Sequence, residues 1–235
     1  MSVLEIENMT AFYSDFQALF GVSLNIKKGE TVAAIGANGA GKSTFLRSIT
    51  GLVKNNADTF LYNGETLTGK VASDIVGLGI AMVPEGRKLF PSLSVEENLI
   101  IGAYQQRPGN WTLDRVYQMF PKLEQRKDIA GTALSGGEQQ MVAIGRALMS
   151  NPDMLLCDEL SLGLAPIIIK DIYSALPSIK AEGVSLLVVE QDINQALEIA
   201  DRIYCFQEGR ISLTGKPEDL TKDQIATAYF GISYD

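Results

Sequence analysis

Residues 31–44 read TVAAIGANGAGKST. Five residues suited to a buried strand run into three glycines, a lysine and two hydroxyls. The segment fits G-x-x-x-x-G-K-[ST], with Gly36, Gly41, Lys42 and Ser43 in the fixed places. Glycine lets the backbone curl until successive N–H groups, those of Asn38, Gly39 and Ala40 among them, point inward. The helix that follows adds the positive end of its dipole to the same spot. Lys42 supplies a point charge for β- and γ-phosphates, the Ser43 hydroxyl suits Mg²⁺, and Thr44 can reach the α-phosphate side. The stretch implies a nucleotide-binding loop set between a strand and a helix.

Working outward, LEIENMTAFYS and SLNIKKGE predict a β-rich start. KSTFLRSIT reads as the helix after the loop, closed by Gly51. NNADTFLYNGETLTG predicts a hairpin and IAMVP a strand. VEENLIIGAY and WTLDRVYQMFPKLEQRKD then predict helices alone, an inserted helical segment over about 88–150. Strand MLLCD, helix IIIKDIYSALPSIKAEG, strand VSLLVVE, helix INQALEIAD and strand RIYCFQ restore the α/β alternation of a mostly parallel sheet. Pro177 predicts a kink or an early end to its helix. GRISLTGKPEDLTKDQIATAYFG reads as a small hairpin and a last helix. The expected fold class is α/β. A P-loop core (1–87 and 151–235) carries an N-terminal antiparallel β subdomain, and the helical subdomain is inserted, all within one domain over 1–235.

Composition narrows the function classes. Of 235 residues 46% are hydrophobic, enough for a sizeable core, and the formal net charge of −8 speaks against broad binding to nucleic acid. No apolar run approaches the roughly 18 residues of a membrane span. MSVLEIENMT does not read as a signal peptide. With no histidine and two isolated cysteines, Cys157 and Cys205, in strand-like segments, neither a zinc site nor a disulfide is expected. The compartment expected is cytosolic.

A second chemical signal is MLLCDE, residues 154–159. A buried strand ending in Asp158 offers a carboxylate that can hold Mg²⁺ through water, and Glu159 can orient and deprotonate an attacking water. A third is LSGGEQQMVAIGRALMSNP from Leu134, where two glycines after a serine at a helix start form another N–H cradle.

This stretch, with GANGAGKST and MLLCDE in that order, resembles the ATP-binding cassette (ABC) family over nearly the whole chain. The resemblance implies a head-to-tail dimer. ATP lies between one subunit's Gly36–Thr44 and the other's Ser135–Gln139, with Ser135, Gly136, Gly137 and Glu138 facing the partner's ATP. Ser135 and Gly137 would meet its γ-phosphate. Tyr13 matches the aromatic that stacks on adenine.

VPEGRKLFPSLSVEENL, SLGLAPIII and VEQD resemble the ATPases of branched-chain amino acid importers, in the branch with Glu85 in the loop facing the membrane partner and Gln191 at the switch-histidine position. Gln191 can donate to a phosphate oxygen but cannot become cationic near neutral pH. Glu85, if ionised, only accepts, and can contact Mg²⁺ through water or turn toward Arg87 or Lys88. Weaker or more partner-dependent hydrolysis is therefore expected. Where the subfamily has proline after the acidic pair, this chain has Leu160, which predicts a looser loop over Ser161–Ala165. The partners implied are transmembrane permease subunits, a second ATPase (different or identical) and, indirectly, a periplasmic or extracellular solute-binding protein. The place implied is the cytoplasmic face of the membrane. The substrate expected is a branched-chain amino acid, with small amides, urea or aromatic acids as alternatives, and a poorly catalytic regulatory cassette is the rival reading. A GTP switch is disfavoured: DIVG at 74–77 has no accompanying N-K-x-D.

Overall fold

The computed structural model describes residues 2–231, which form two compact units, one running to Ile75 and resuming at Ser185, the other Val76–Val184. In the first unit, alternation of apolar and polar residues builds two long strands, β1 (Ser2–Tyr13) and β2 (Phe16–Lys27). Val22, Leu24 and Ile26 turn inward while Ser23, Asn25 and Lys27 face out, the period-two pattern of a half-buried sheet. They pair antiparallel, with Tyr13 opposite Phe16 at the turn. β3 (Thr31–Ile35) is buried throughout and feeds the glycine loop and α1 (Lys42–Ile49). Then β4 (Lys54–Asn56) and β5 (Thr59–Tyr62) pair antiparallel with β1, and β6 (Glu65–Thr66) pairs with β5, completing the antiparallel sheet. Short helix α2 (Ala72–Gly77) follows.

In the second unit, β7 (Ile80–Val83) runs parallel to β8 (Met154–Asp158), and all helices between them are short except one. These are α3 (Val95–Ile101), α4 (Leu113–Met119), α5 (Pro121–Glu124) and the longer α6 (Gly136–Leu148). The single helix expected over 111–128 is broken in two. Pro121 lacks an N–H and disfavours helical φ/ψ at Phe120, which sits at φ −126, ψ 74. Conversely α7 (Pro166–Ala181) continues four residues past Pro177, so the early end expected there does not occur. One missing hydrogen bond is outweighed by a face of Ile172, Ala175, Leu176 and Ile179 that is buried on both sides of the proline.

The chain returns to the first unit with β9 (Ser185–Glu190), α8 (Ile193–Ile199), β10 (Arg202–Gln207), β11 (Arg210–Gly215) and α9 (Lys222–Phe230). β3 lies between β9 and β10, parallel to both, and β11 closes on β10 as an antiparallel edge. A strand with parallel neighbours on both sides is apolar along its length, as TVAAI is. Cys157 and Cys205 are buried and unbridged.

Candidate functional site

Parallel pairing places the carboxyl end of β3 at the start of the glycine loop, where an α/β sheet handles ligands. Gly36, at φ 153, passes so close to β10 that an added Cβ would lie 2.4 Å from the Phe206 carbonyl oxygen. Only glycine fits. Gly41, at φ 102, caps α1 without a side chain, and no acid stands in the first turn, so the positive helix end is left to a ligand. Lys42 is buried at 4% exposure, and its ammonium donates to the carbonyls of Gly36 (2.6 Å) and Ala37 (3.0 Å). A cation folded against its own loop, beside a helix end without a side-chain cap, fits a polyphosphate. Ser43, partly buried, adds the hard oxygen that Mg²⁺ takes.

Lys42 also reaches inward electrostatically. Burial raises the Cys205 thiol, opposed by the Ser212 hydrogen bond and the Lys42 charge. The Tyr13 hydroxyl lies 3.4 Å from Thr44 Oγ1, and the ring is 42% exposed on the same face as its cross-strand neighbour Phe16. An aromatic surface therefore stands beside the loop's hydroxyl end. Gln191 follows β9 directly and its carbonyl accepts from the Tyr229 hydroxyl at 3.5 Å, while Asp192 caps α8 through the amides of Asn194 and Gln195.

The second unit holds the other expected residues. Asp158 is fully buried as the last residue of β8. Glu159 leaves the strand at φ 50, a left-handed conformation uncommon outside glycine. Leu160 beside it is fully buried, and a proline there would push Glu159 toward extended backbone. The amides of Leu162 and Leu164 donate to Glu159 and Ser161, closing the following loop with turns.

Ser135 caps α6 in a reciprocal box with Glu138. The Glu138 amide donates to Ser135 Oγ at 3.3 Å, and Glu138 Oε2 accepts from the Ser135 amide and hydroxyl, both at 2.8 Å. Arg126 holds the other carboxylate oxygen at 2.7 Å. Desolvation raises the Glu138 carboxyl, but the Ser135 hydrogen bonds and the charges of Arg126 and Lys122 together outweigh it and keep it below its ordinary range.

Glu85 begins a turn in which Gly86, Arg87 and Lys88 all have positive φ (72, 64 and 44°). No ion pair joins Glu85 to Arg87 or Lys88 among the described residues. Arg146, whose guanidinium is pulled down by burial, instead ties the turn to α6 by donating to the Arg87 carbonyl at 3.1 Å and lying 5.6 Å over the Phe90 ring. Neither Arg126 nor Arg146 stood out in the sequence. Each meets its partner 12 or 59 residues away, and no local pattern marks such a pairing.

With this geometry in view, the comparisons are decisive on family. Residues 19–161 match the ABC transporter family, and the chain belongs to it: a P-loop ATPase cassette. It is 46% identical over 233 residues to the high-affinity branched-chain amino acid transport ATP-binding protein BraG of Pseudomonas aeruginosa, covering 97% of this chain and all of that one. It is 31% identical to the lipopolysaccharide export ATP-binding protein LptB of Haemophilus influenzae, over 100% and 99% of the two chains. Among solved structures, a nucleotide-free ATP-binding cassette superposes with a TM-score of 0.81 at 30% identity, over 97% and 95% of the chains. A dimeric cassette in a post-hydrolysis state with ADP and Pi gives 0.80 at 27%, over 91% and 98%.

Proposed function

We propose that this chain is the ATP-hydrolysing subunit of an importer for branched-chain amino acids. The observation that carries the ATPase reading is the loop Gly36–Thr44, with buried Lys42 folded on its carbonyls at a helix end capped by side-chain-free Gly41. The likeness to BraG over the full length supports the substrate class.

In this reading the amides of Asn38, Gly39, Ala40 and Gly41 and the Lys42 ammonium receive the phosphates, and Tyr13 stacks on adenine. Mg²⁺, for which Ser43 and, through water, Asp158 are the oxygen donors, supplies neutralisation of the triphosphate charge. Glu159 accepts the proton of the attacking water as its oxygen bonds to the γ-phosphorus. The bond from that phosphorus to the bridging oxygen breaks, leaving ADP and phosphate. Gln191 donates an amide N–H to a γ-phosphate oxygen but cannot relay a proton as imidazole can, and Glu85 would reach Mg²⁺ through water. Ser135, Gly136, Gly137 and Glu138 face the ATP of a second cassette, identical or different. That a cassette of the same fold is a dimer in its post-hydrolysis state supports this arrangement.

No helix among the described residues is long and apolar enough to cross a membrane, so transport requires permease subunits. The helical segment of about 88–150 and the turn after Glu85 are the proposed permease face, at the cytoplasmic side of the membrane. A cavity of about 300 Å³ there is walled by Phe90, Ile101, Tyr104 and Arg146, with Phe90 and Tyr104 46% and 57% exposed.

The test is Mg·ATP hydrolysis by the chain and by Glu159→Gln over a protein concentration series, followed by leucine uptake into vesicles containing the permease. Turnover that needs Glu159 and rises faster than linearly with protein is expected. Uptake of urea but not leucine would refute the substrate class.

A further inference from the structure

The start of α6 carries a contradiction. If Ser135–Gly137 receives the triphosphate of a second cassette, a carboxylate at Glu138, three residues into the helix, lies where an anion must arrive. In the chain alone Glu138 is favourable, because it caps the helix and meets its positive end. Against a triphosphate the same charge is repulsive. Its Oε2 also accepts the Ser135 hydroxyl hydrogen, with the two oxygens 2.8 Å apart, and a phosphate oxygen would need that hydrogen.

The structure places a counter-charge on that carboxylate. Arg126 Nε lies 2.7 Å from Glu138 Oε1, leaving Oε2 to Ser135, so the two oxygens have separate partners. The Glu138 side chain is only 14% exposed and Arg126 is 49% exposed. The pair borders a cavity of about 310 Å³ with Lys122, Gln125 and Ser135. Lys122 is itself 3.4 Å from Asp171, which leaves Arg126 as the cation in contact with Glu138 among the described residues. The Gln139 amide group, donating to the carbonyls of Gly131 and Leu134, fixes the approach of the loop to Ser135.

We propose that Arg126 is a positioning residue of the two-cassette ATP site: by holding Glu138 it neutralises the carboxylate and orients Ser135, so that this helix start can receive the partner's triphosphate. The inference rests on the reading of Ser135–Glu138 as the seat of the partner's nucleotide. Arg126 then matters only because position 138 is an acid. Glutamine at 138 would keep the capping geometry and need no counter-ion.

The experiment compares the wild type, Arg126→Ala, Arg126→Lys, Glu138→Gln and the Arg126→Ala/Glu138→Gln double variant. Mg·ATP-driven self-association is measured by light scattering on a Glu159→Gln background, and steady-state hydrolysis with Glu159 intact. ATP binding to the monomer, read separately, reports the Gly36–Thr44 loop. Arg126→Ala is expected to weaken association and turnover about tenfold, Arg126→Lys less, and the same truncation in the Glu138→Gln background less than about twofold, since truncating one partner leaves the other charge uncompensated. An equal loss in both backgrounds overturns the proposal, because Arg126 would then act independently of Glu138. So does identical behaviour of all five chains, including none at all. A wild type that fails even to bind ATP refutes the ATPase reading itself, and the inference falls with it.

Discussion

Helix α1 starts at Gly41, which has no side chain to offer, whereas α6 starts at Ser135, which is capped reciprocally with Glu138. Both present the positive end of a helix, the first after a glycine-rich loop and the second with two glycines in its first turn. In the first, the cation that a phosphate will meet is built in and buried as Lys42. In the second, the first turn carries an acid, and the nearest cation, Arg126, is bound to that acid. The first end is preorganised for an anion before any arrives. The second is satisfied by its own side chains and must exchange a hydrogen bond to accept one. Two helix starts can thus offer the same dipole through different caps, a left-handed Gly41 and an extended Ser135.

Glu159→Gln should lower Mg·ATP turnover by about 10²–10⁴-fold while ATP still binds, the usual yield of a positioned base. Equal loss of binding would mean that Glu159 shapes the nucleotide seat. Next, Lys42→Ala should weaken ATP binding by roughly ten- to a hundredfold, as for a lost charge-assisted hydrogen bond of about 1.5–3 kcal/mol, measured by equilibrium titration.

Gly36→Ala tests whether the first loop is rigid. Its Cβ would meet the backbone oxygen of Phe206, which cannot rotate away, so a loss of about 1–3 kcal/mol in chemical denaturation is expected. Ser135→Ala should cost about 1 kcal/mol as a lost cap, and its larger effect should appear in ATP-driven association while ATP binding to the monomer is kept.

The smallest effect is in pH. The Glu138 carboxyl is held below the ordinary glutamate value of about 4.3. Its contribution to stability is therefore complete above that value and is lost as pH falls through the folded-state pKa. The stability gap between wild type and Glu138→Gln should shrink on acidification, and a gap constant to pH 3 would show that the Arg126 and Ser135 contacts do not stabilise the ionised form.

Much of this was legible in one dimension. TVAAI could be read as a strand paired on both sides because every residue in it is small or apolar, and the glycines of the loop follow the steric needs of a tight turn. The helix start at Ser135 was legible as an N–H cradle, whereas its reciprocal cap with Glu138 came only with the structure. The break at Phe120 and the continuity through Pro177 were not legible. Pro121 breaks its helix through the backbone at Phe120, whereas residues 172–179 find a core on both sides of Pro177 and carry that helix through. The conformation of Glu159 was also hidden, since a left-handed φ at a non-glycine residue is imposed by its surroundings.

The sequence by itself determined the class of chemistry. Gly36–Thr44, Asp158–Glu159 and Ser135–Glu138 are contiguous motifs, and their geometry is set by neighbours along the chain. The tertiary structure alone decided which charges balance which. Arg126 reaches Glu138, Arg146 reaches the carbonyl of Arg87, and Lys42 is buried within the loop it serves. Electrostatic partnership depends on distance in space, which the order of residues does not record.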